Sequence, residues 1–322
     1  MGIKDAAACV RKNNKFLITA HTSPEGDALG SQLAFFYLLR AQGKSAVIIN
    51  DDRVPEEYSF LPGVEKIRKF DKHAAEVKFD CFVTLDCSDL KRTGEVSQLN
   101  IGGCTVLNID HHISNAYFGD VNWVNPHASS CSEMIYQLYK EMKIDFNRKS
   151  ALSLYTGIVT DTGSFRYSNT GAFTHKAAAE LLGYGIDPRQ VYKSLYESVP
   201  FEDMKLLSRI LPGVNRTKGG KVIWFQVKKE MLENKKLSFD LAEHILSFGR
   251  QIRGVEAVVL FKENLREENE VRVNFRSQGA LDVNKIAQAF GGGGHKAAAG
   301  ATVKGRIEDV RRRVLRKIKE SL

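Results

Sequence analysis

At 322 residues and with the composition of an ordinary globular protein, the chain can bury a sizeable core and divide into two domains. No apolar run approaches the ~20 residues of a membrane-spanning helix, and residues 1–15, charged at Lys4, Asp5, Arg11 and Lys12, lack the apolar centre of a secretory signal. The net charge of +9 favours a polyanionic partner such as nucleic acid or nucleotides, and the five scattered cysteines, with no Cys-x-x-Cys pair, read as reduced thiols in a cytoplasmic protein.

In chain order, residues 16–20 form an apolar, strand-like run that leads to a helix over 32–42. Strands are predicted at 45–50, 79–85 and 105–109, and helices at 130–142 and 149–159. This alternation predicts an α/β fold whose N-terminal part is a mostly parallel sheet covered by helices. A further helix over 174–183 precedes a turn at 185–188, and 190–195 and 201–211 read as connecting helices. Beyond them, strands at 222–227, 257–262 and 271–276 and helices at 239–248 and 283–290 predict a smaller α+β domain. Its last helix sets Ile307, Val310, Val314 and Ile318 against a basic outer face. The expected organisation is a first domain over 1–190, a helical linker over 191–214 and a second domain over 215–322.

Acidic and imidazole side chains gather at the ends of the apolar runs. His21, Glu25 and Asp27 follow the first, Asp86 follows 81–85, Asp110-His111-His112 follows 105–109, and Asp161 follows 155–160. In parallel sheets, ligands bind at the carboxyl ends of the strands. A lone Asp after a strand is commonly a turn or cap, but His21, Glu25, Asp27, Asp86, His111 and Asp161 together supply two imidazoles and four carboxylates. That donor set suits a pair of divalent ions sharing one carboxylate, and the absence of thiolates disfavours a structural zinc site. Such a pair acidifies water and neutralises phosphoryl charge.

The order His-x-x-Pro-Glu-Gly-Asp-Ala, Asp-Cys-Ser-Asp, Asp-His-His and Thr-Asp-Thr-Gly-Ser-Phe resembles the four motifs of the DHH phosphoesterase family. The resemblance implies one metal held by His21, Glu25 and Asp86, and a second by Asp27, Asp86, His111 and Asp161. Asp86 would bridge them, His112 would face the scissile phosphate, and Asp110 would orient the pair. Manganese is the implied metal, with magnesium or cobalt as alternatives. Glu25 stands where the family usually has Asp, which keeps the carboxylate and adds a methylene.

In the C-terminal part, Gly291-Gly292-Gly293-Gly294-His295 follows a predicted helix and would let backbone N–H groups approach an anion. Arg272, Asn274 and Arg276 share one face of a strand, and the planar fork of Arg276 suits a phosphate. This stretch resembles the DHH-associated domain, which implies that Arg276 and His295 hold the substrate end away from the metals. Within the family the chain is most similar to the nanoRNase/pAp-phosphatase branch. The implied activity is hydrolysis of short 5′-phosphorylated RNA or DNA oligonucleotides, such as the dinucleotides pApA and pGpG, and dephosphorylation of pAp. A stand-alone cyclic-di-AMP phosphodiesterase, a RecJ-like single-strand exonuclease and a nucleotide-binding module with a degenerate metal site are the competing readings. No membrane partner is expected, and a homodimer is compatible with the sequence.

Overall fold

The computed structural model describes residues 1–71, 73–100, 102–232, 241–264, 267–278 and 281–322. The chain divides into two compact units, Met1–Ser198 and Val199–Leu322. The first contains α1 (Ile3–Lys12), β1 (Lys15–Thr19), α2 (Gly26–Ala41), β2 (Ser45–Asn50), β3 (Ile67–Lys69), β4 (Cys81–Leu85), β5 (Thr105–Asp110) and β6 (Val121–Val124). It continues through α3 (Cys131–Met142), α4 (Arg148–Asp161), α5 (Ala172–Leu182) and α6 (Pro188–Tyr196). Its six strands run in the order β3-β2-β1-β4-β5-β6, and every pairing is parallel. Parallel strands are buried on both faces, so alternate residues serve different layers. Phe16, Ile18, Val83, Leu107 and Ile109 pack among the helices. Leu17, Ile49, Phe82 and Val106 pack with Val96 and Leu99 on the opposite side.

Helix α2 begins at Gly26, not at residue 32 as the sequence predicts. Glu25 takes the extended N-cap conformation, and its carbonyl already accepts from Leu29 N at 3.0 Å. The misreading has a physical cause: from Gly26 to Phe35 every residue of α2 is buried, so no amphipathic stripe announces the helix. Its neighbour α4 approaches very closely. A Cβ on Gly30 would lie 2.4 Å from the Ser153 carbonyl, and one on Gly26 would lie 2.5 Å from the Thr160 side chain. A Cβ on Gly157 of α4 would meet Ser132 Oγ of α3 at 1.9 Å.

The second unit contains α7 (Phe201–Ile210), β7 (Asn215–Arg216), β8 (Val222–Val227), α8 (Lys229–Leu232), α9 (Leu241–Arg250), β9 (Ala257–Glu263) and β10 (Glu270–Ser277). It ends with α10 (Val283–Gln288), β11 (Gly293–Gly294), β12 (Ala298–Lys304) and α11 (Ile307–Ser321). Residues 239 and 240 of the expected helix 239–248 lie outside the described residues. The sheet order is β11-β12-β10-β9-β8-β7, mixed in direction, with only β8 and β9 parallel. One face packs Val259, Phe261, Val273 and Phe275 against α10 and α11. The other packs Ile223, Phe225, Val258 and Leu260 against α7 and α9. Residues 191–214, expected as a linker, divide between the units: Val191 belongs to the core of the first, and Leu206, Leu207 and Ile210 to a core of the second.

Because a backbone carbonyl cannot yield as a flexible side chain can, Gly30→Ala is expected to destabilise the first unit by about 1–3 kcal/mol. The measurement is the urea midpoint of unfolding. A midpoint equal to that of the unsubstituted protein would show that α2 and α4 do not depend on this contact.

Candidate metal centre

The strand order reverses between β1 and β4, which makes a crevice at their carboxyl ends. His21 lies just past β1, Asp86 directly follows β4, and Asp110, the last residue of β5, is followed by His111 and His112. Asp86 adopts φ = 55°, a left-handed conformation that Asp tolerates better than most residues. Its N–H still donates to Ile109 O at 3.1 Å. Two helices complete the cluster. Asp27 lies in the first turn of α2 and Asp161 is the last residue of α4, so the crossing at Gly30 sets where both carboxylates can lie.

The distances separate two kinds of contact. His111 Nε2 lies 3.4 Å from Asp86 Oδ1, 3.6 Å from Asp161 Oδ2 and 3.8 Å from Asp27 Oδ2. His21 Nε2 lies 3.5 Å from Asp86 Oδ2. These are longer than the ~2.7–2.9 Å of a charge-assisted hydrogen bond. By contrast, His112 Nδ1 and Asp110 Oδ1 are 2.7 Å apart, and Asp110 Oδ2 accepts from Asn115 Nδ2 at 2.6 Å. Asp110 therefore orients His112, and proton exchange with a ligand falls to Nε2. Asp27 accepts from the N–H groups of Cys131 and Ser132 at 2.6 and 2.8 Å, placing its charge at the positive end of α3.

Burial and neighbouring charge drive these groups apart in proton affinity. Burial, with the charges of Asp86 and Asp161, pushes the Asp27 carboxyl well above the usual range. Burial and Asp86 raise Asp161 to about 6, against the pull of His111. Burial alone would raise Asp86, but the imidazoles of His111 and His21 hold it well below the usual carboxylate range. Burial alone would lower His111, yet Asp161 and Asp86 raise it well above the usual imidazole range. Asp110, where burial is opposed by His112, is held low.

This arrangement fits a divalent cation. Asp86 Oδ1 is buried and accepts no hydrogen bond among the described residues; the imidazole nitrogens of His111 and His112 approach it only to 3.4 and 3.6 Å, which leaves this oxygen available to a cation. Ligand atoms of Asp27, Asp86 and His111 lie within 4.8 Å of one another, as do those of Asp86, Asp110 and His112. Asp161 and His21 adjoin this cluster through the contacts above. Glu25 is exposed at the N-cap of α2, and neither of these two groupings includes it.

In the second unit, Arg276 donates from Nε and Nη2 to Glu243 Oε2 at 3.0 and 2.7 Å and from Nη1 to Phe275 O at 3.0 Å. The glycine run is not an open anion cradle at its start. The N–H groups of Gly291 and Gly292 donate to Gln288 O and Ala287 O, closing α10. Gly293 and Gly294 pair with Gly300 and Ala299 as β11. Close packing requires the glycines here: a Cβ on Gly292 would lie 2.1 Å from the Gly300 carbonyl. His295 sits in the turn that follows, its N–H donating to Ala298 O at 2.6 Å. Sequence reasoning missed Asn115 and the N-terminal amides of α3, because neither a lone Asn in a loop nor a backbone N–H carries a sequence signal of its role.

Fold and site together define a parallel-sheet protein with a buried carboxylate–imidazole cluster that could hold metal ions, followed by a smaller mixed-sheet unit. The sequence matches the model of the DHH family, N-terminal domain, over residues 15–158 and that of the DHHA1 domain over residues 219–322. The chain belongs to the DHH family and carries a DHHA1 domain. It is 32% identical to the bifunctional oligoribonuclease and PAP phosphatase NrnA of Thermus thermophilus over 95% of this chain and 89% of that one. It is 32% identical to the protein of the same name from Bacillus subtilis over 89% of this chain and 88% of that one. Among solved structures, an exopolyphosphatase-related protein from Bacteroides fragilis is similar with a TM-score of 0.89 and 26% identity, covering 99% of this chain and 95% of that one.

Burial and neighbouring charge raise the proton affinity of Asp27, Asp161 and His111, so a cation binding among them would compete with protons. Proton competition therefore weakens as pH rises through Asp161's value of about 6 and onward through that of His111. The rise in Tm on adding Mn²⁺ is expected to grow from about pH 5.5 to about pH 8. Thermal melts at matched ionic strength check this, and a rise independent of pH would contradict it.

Proposed function

We propose that this protein is a divalent-metal-dependent phosphodiesterase that hydrolyses short 5′-phosphorylated oligonucleotides, dinucleotides such as pApA and pGpG above all, to mononucleotides, and that it also dephosphorylates pAp. The observation that carries this reading is the buried Asp27–Asp86–His111 grouping, in which Asp86 Oδ1 accepts no hydrogen bond among the described residues. The two relatives named as bifunctional oligoribonuclease and PAP phosphatase, each matched over most of its length, support the substrate class.

In this reading His21, Glu25 and Asp86 hold one ion, and Asp27, Asp86, His111 and Asp161 hold the other. The mixture of imidazole and carboxylate favours manganese, with magnesium or cobalt as alternatives. Bound there, divalent cations supply charge neutralisation and a water acidic enough to attack at neutral pH. The protein's own contribution is positioning. Asp86 reaches both halves of the cluster from the end of β4. Asp110, gripped by Asn115, keeps His112 turned so that its Nε2 can donate to a phosphoryl oxygen or the departing hydroxyl. Arg276, steadied by Glu243, and His295 hold the terminal phosphate or nucleoside of the substrate. No helix among the described residues is long and apolar enough to cross a membrane.

The test is one panel with Mn²⁺: pApA, pGpG, a short and a long RNA, pAp, cyclic-di-AMP and pyrophosphate. Dinucleotides and pAp should be hydrolysed fastest, with rates falling as RNA length increases and nearly all turnover lost in Asp86→Ala. A strong preference for cyclic-di-AMP would move the protein to a signalling role and overturn the dinucleotide reading. His295→Ala is expected to raise KM for 5′-phosphorylated dinucleotides by about tenfold with a smaller effect on kcat. An unchanged KM would remove His295 from the grip.

A further inference from the structure

Ser88, two residues past Asp86, is a meeting point for parts of the first unit that the chemistry above does not use. Arg92 donates from Nη1 to Ser88 Oγ at 3.4 Å. The loop leaving His112 returns to the same residue, where Ala116 N donates to Ser88 O at 2.8 Å.

Arg92 is held at its backbone. Its N–H donates to Asp89 O at 3.0 Å, and its carbonyl accepts from Thr22 N, beside His21, at 2.7 Å. Its side chain is exposed, and among the described residues it forms no ion pair. The nearby acids are used elsewhere: Asp89 accepts from Lys91 N, and Asp51 accepts from Glu95 N. The positive charge of Arg92 is felt at His21, where it opposes the effect of Asp86. An arginine at the edge of this centre, with no carboxylate to neutralise it, is suited to a phosphate.

Tyr117 supplies the second observation. Its φ of 52° lies in the left-handed region, which is unfavourable for a bulky residue and persists only where the surroundings impose it. Asn115 imposes it. Its Oδ1 accepts from Tyr117 N at 2.7 Å, and its Nδ2 donates to Asp110 Oδ2 at 2.6 Å and to Cys87 O at 3.3 Å. The same amide thus grips the aspartate of the Asp-His-His motif and bends the loop. The bend leaves Tyr117 61% exposed, with Ile113 64% exposed earlier in the same loop. Large apolar groups displayed beside a polar centre mark a ligand surface.

We propose that Arg92 and Tyr117 form a nucleotide subsite on the first unit, the guanidinium holding a phosphate and the phenol ring carrying a nucleobase. The inference rests on the phosphodiesterase reading and assigns the side of the substrate that lies next to the metal centre. Stacking on an aromatic ring tolerates any base, so the subsite recognises nucleotides without selecting sequence.

The test measures equilibrium binding of AMP and of inorganic phosphate to the full-length Mn²⁺-loaded protein by calorimetry, with pApA hydrolysis in parallel. Arg92→Ala should weaken both ligands by about tenfold or more. Tyr117→Ala should weaken AMP by about tenfold and leave inorganic phosphate unchanged, with Tyr117→Phe restoring AMP affinity. Metal content should be the same in every variant. Unchanged AMP affinity in either alanine variant, or no AMP binding by the unsubstituted protein, overturns the subsite whether or not pApA is cleaved. AMP bound through both residues by a protein that leaves pApA intact would instead uphold the subsite and sink the phosphodiesterase reading alone.

Discussion

The gathering of Asp27, Asp86 and Asp161 around the imidazole of His111 is held by packing against the mutual repulsion of its charges. Left to themselves, three carboxylates would separate into water. Here each is attached to an element that cannot move independently: the end of a central strand, the first turn of a buried helix and the last residue of its partner. The close approach of α2 and α4 at Gly26, Gly30 and Gly157 keeps Asp27 and Asp161 within reach of Asp86. The resulting electrostatic conflict appears as raised carboxyls at Asp27 and Asp161 and a raised imidazole at His111. In such a cluster the repulsion between carboxylates would turn to attraction if positive charge were added.

The centre is also divided by role. Contacts at 3.4–3.8 Å surround His111, whereas His112 is tied to Asp110 by a true hydrogen bond at 2.7 Å. Adjacent residues of one motif thus face different tasks, one imidazole directed at the carboxylates and the other steadied from behind. The helix dipoles work in opposite senses. Asp27 lies at the favourable end of α3, while Asp161 lies at the unfavourable carboxyl end of α4. A carboxylate placed against its helix dipole does not serve the stability of the helix.

In the second unit, glycine serves packing before it serves recognition. Gly291 and Gly292 direct their N–H groups into the end of α10, and Gly293 and Gly294, the latter at φ = 144°, pair with β12 as β11. His295 is therefore presented from a turn with a defined backbone. Arg276 is similarly constrained, since Glu243 takes up two of its donors. Such partners fix the direction of the guanidinium.

The parallel sheet was legible in the sequence because β1, β2, β4 and β5 are continuous apolar runs, and the acids at their ends follow from chain order alone. Asp86, Asp110, His111 and His112 could be placed from the alternation of strand and turn. Helix α2 could not, because a helix buried all round lacks the polar face that defines its period; the expected helix began only at residue 32, leaving the candidate ligand Asp27 outside it. The short strands β3 and β6 and helix α1 also escaped, being too brief or too mixed in composition to stand out. The sequence by itself determined which donor atoms are available and which sheet edge they share. Only the tertiary structure decided that Asp27 and Asp161 reach that edge from two touching helices, that Asn115 links Asp110 to the Tyr117 loop, and that the glycine run closes α10 and then pairs as the short strand β11. Those outcomes depend on contacts between segments far apart in the chain, where spacing carries no information and steric fit decides.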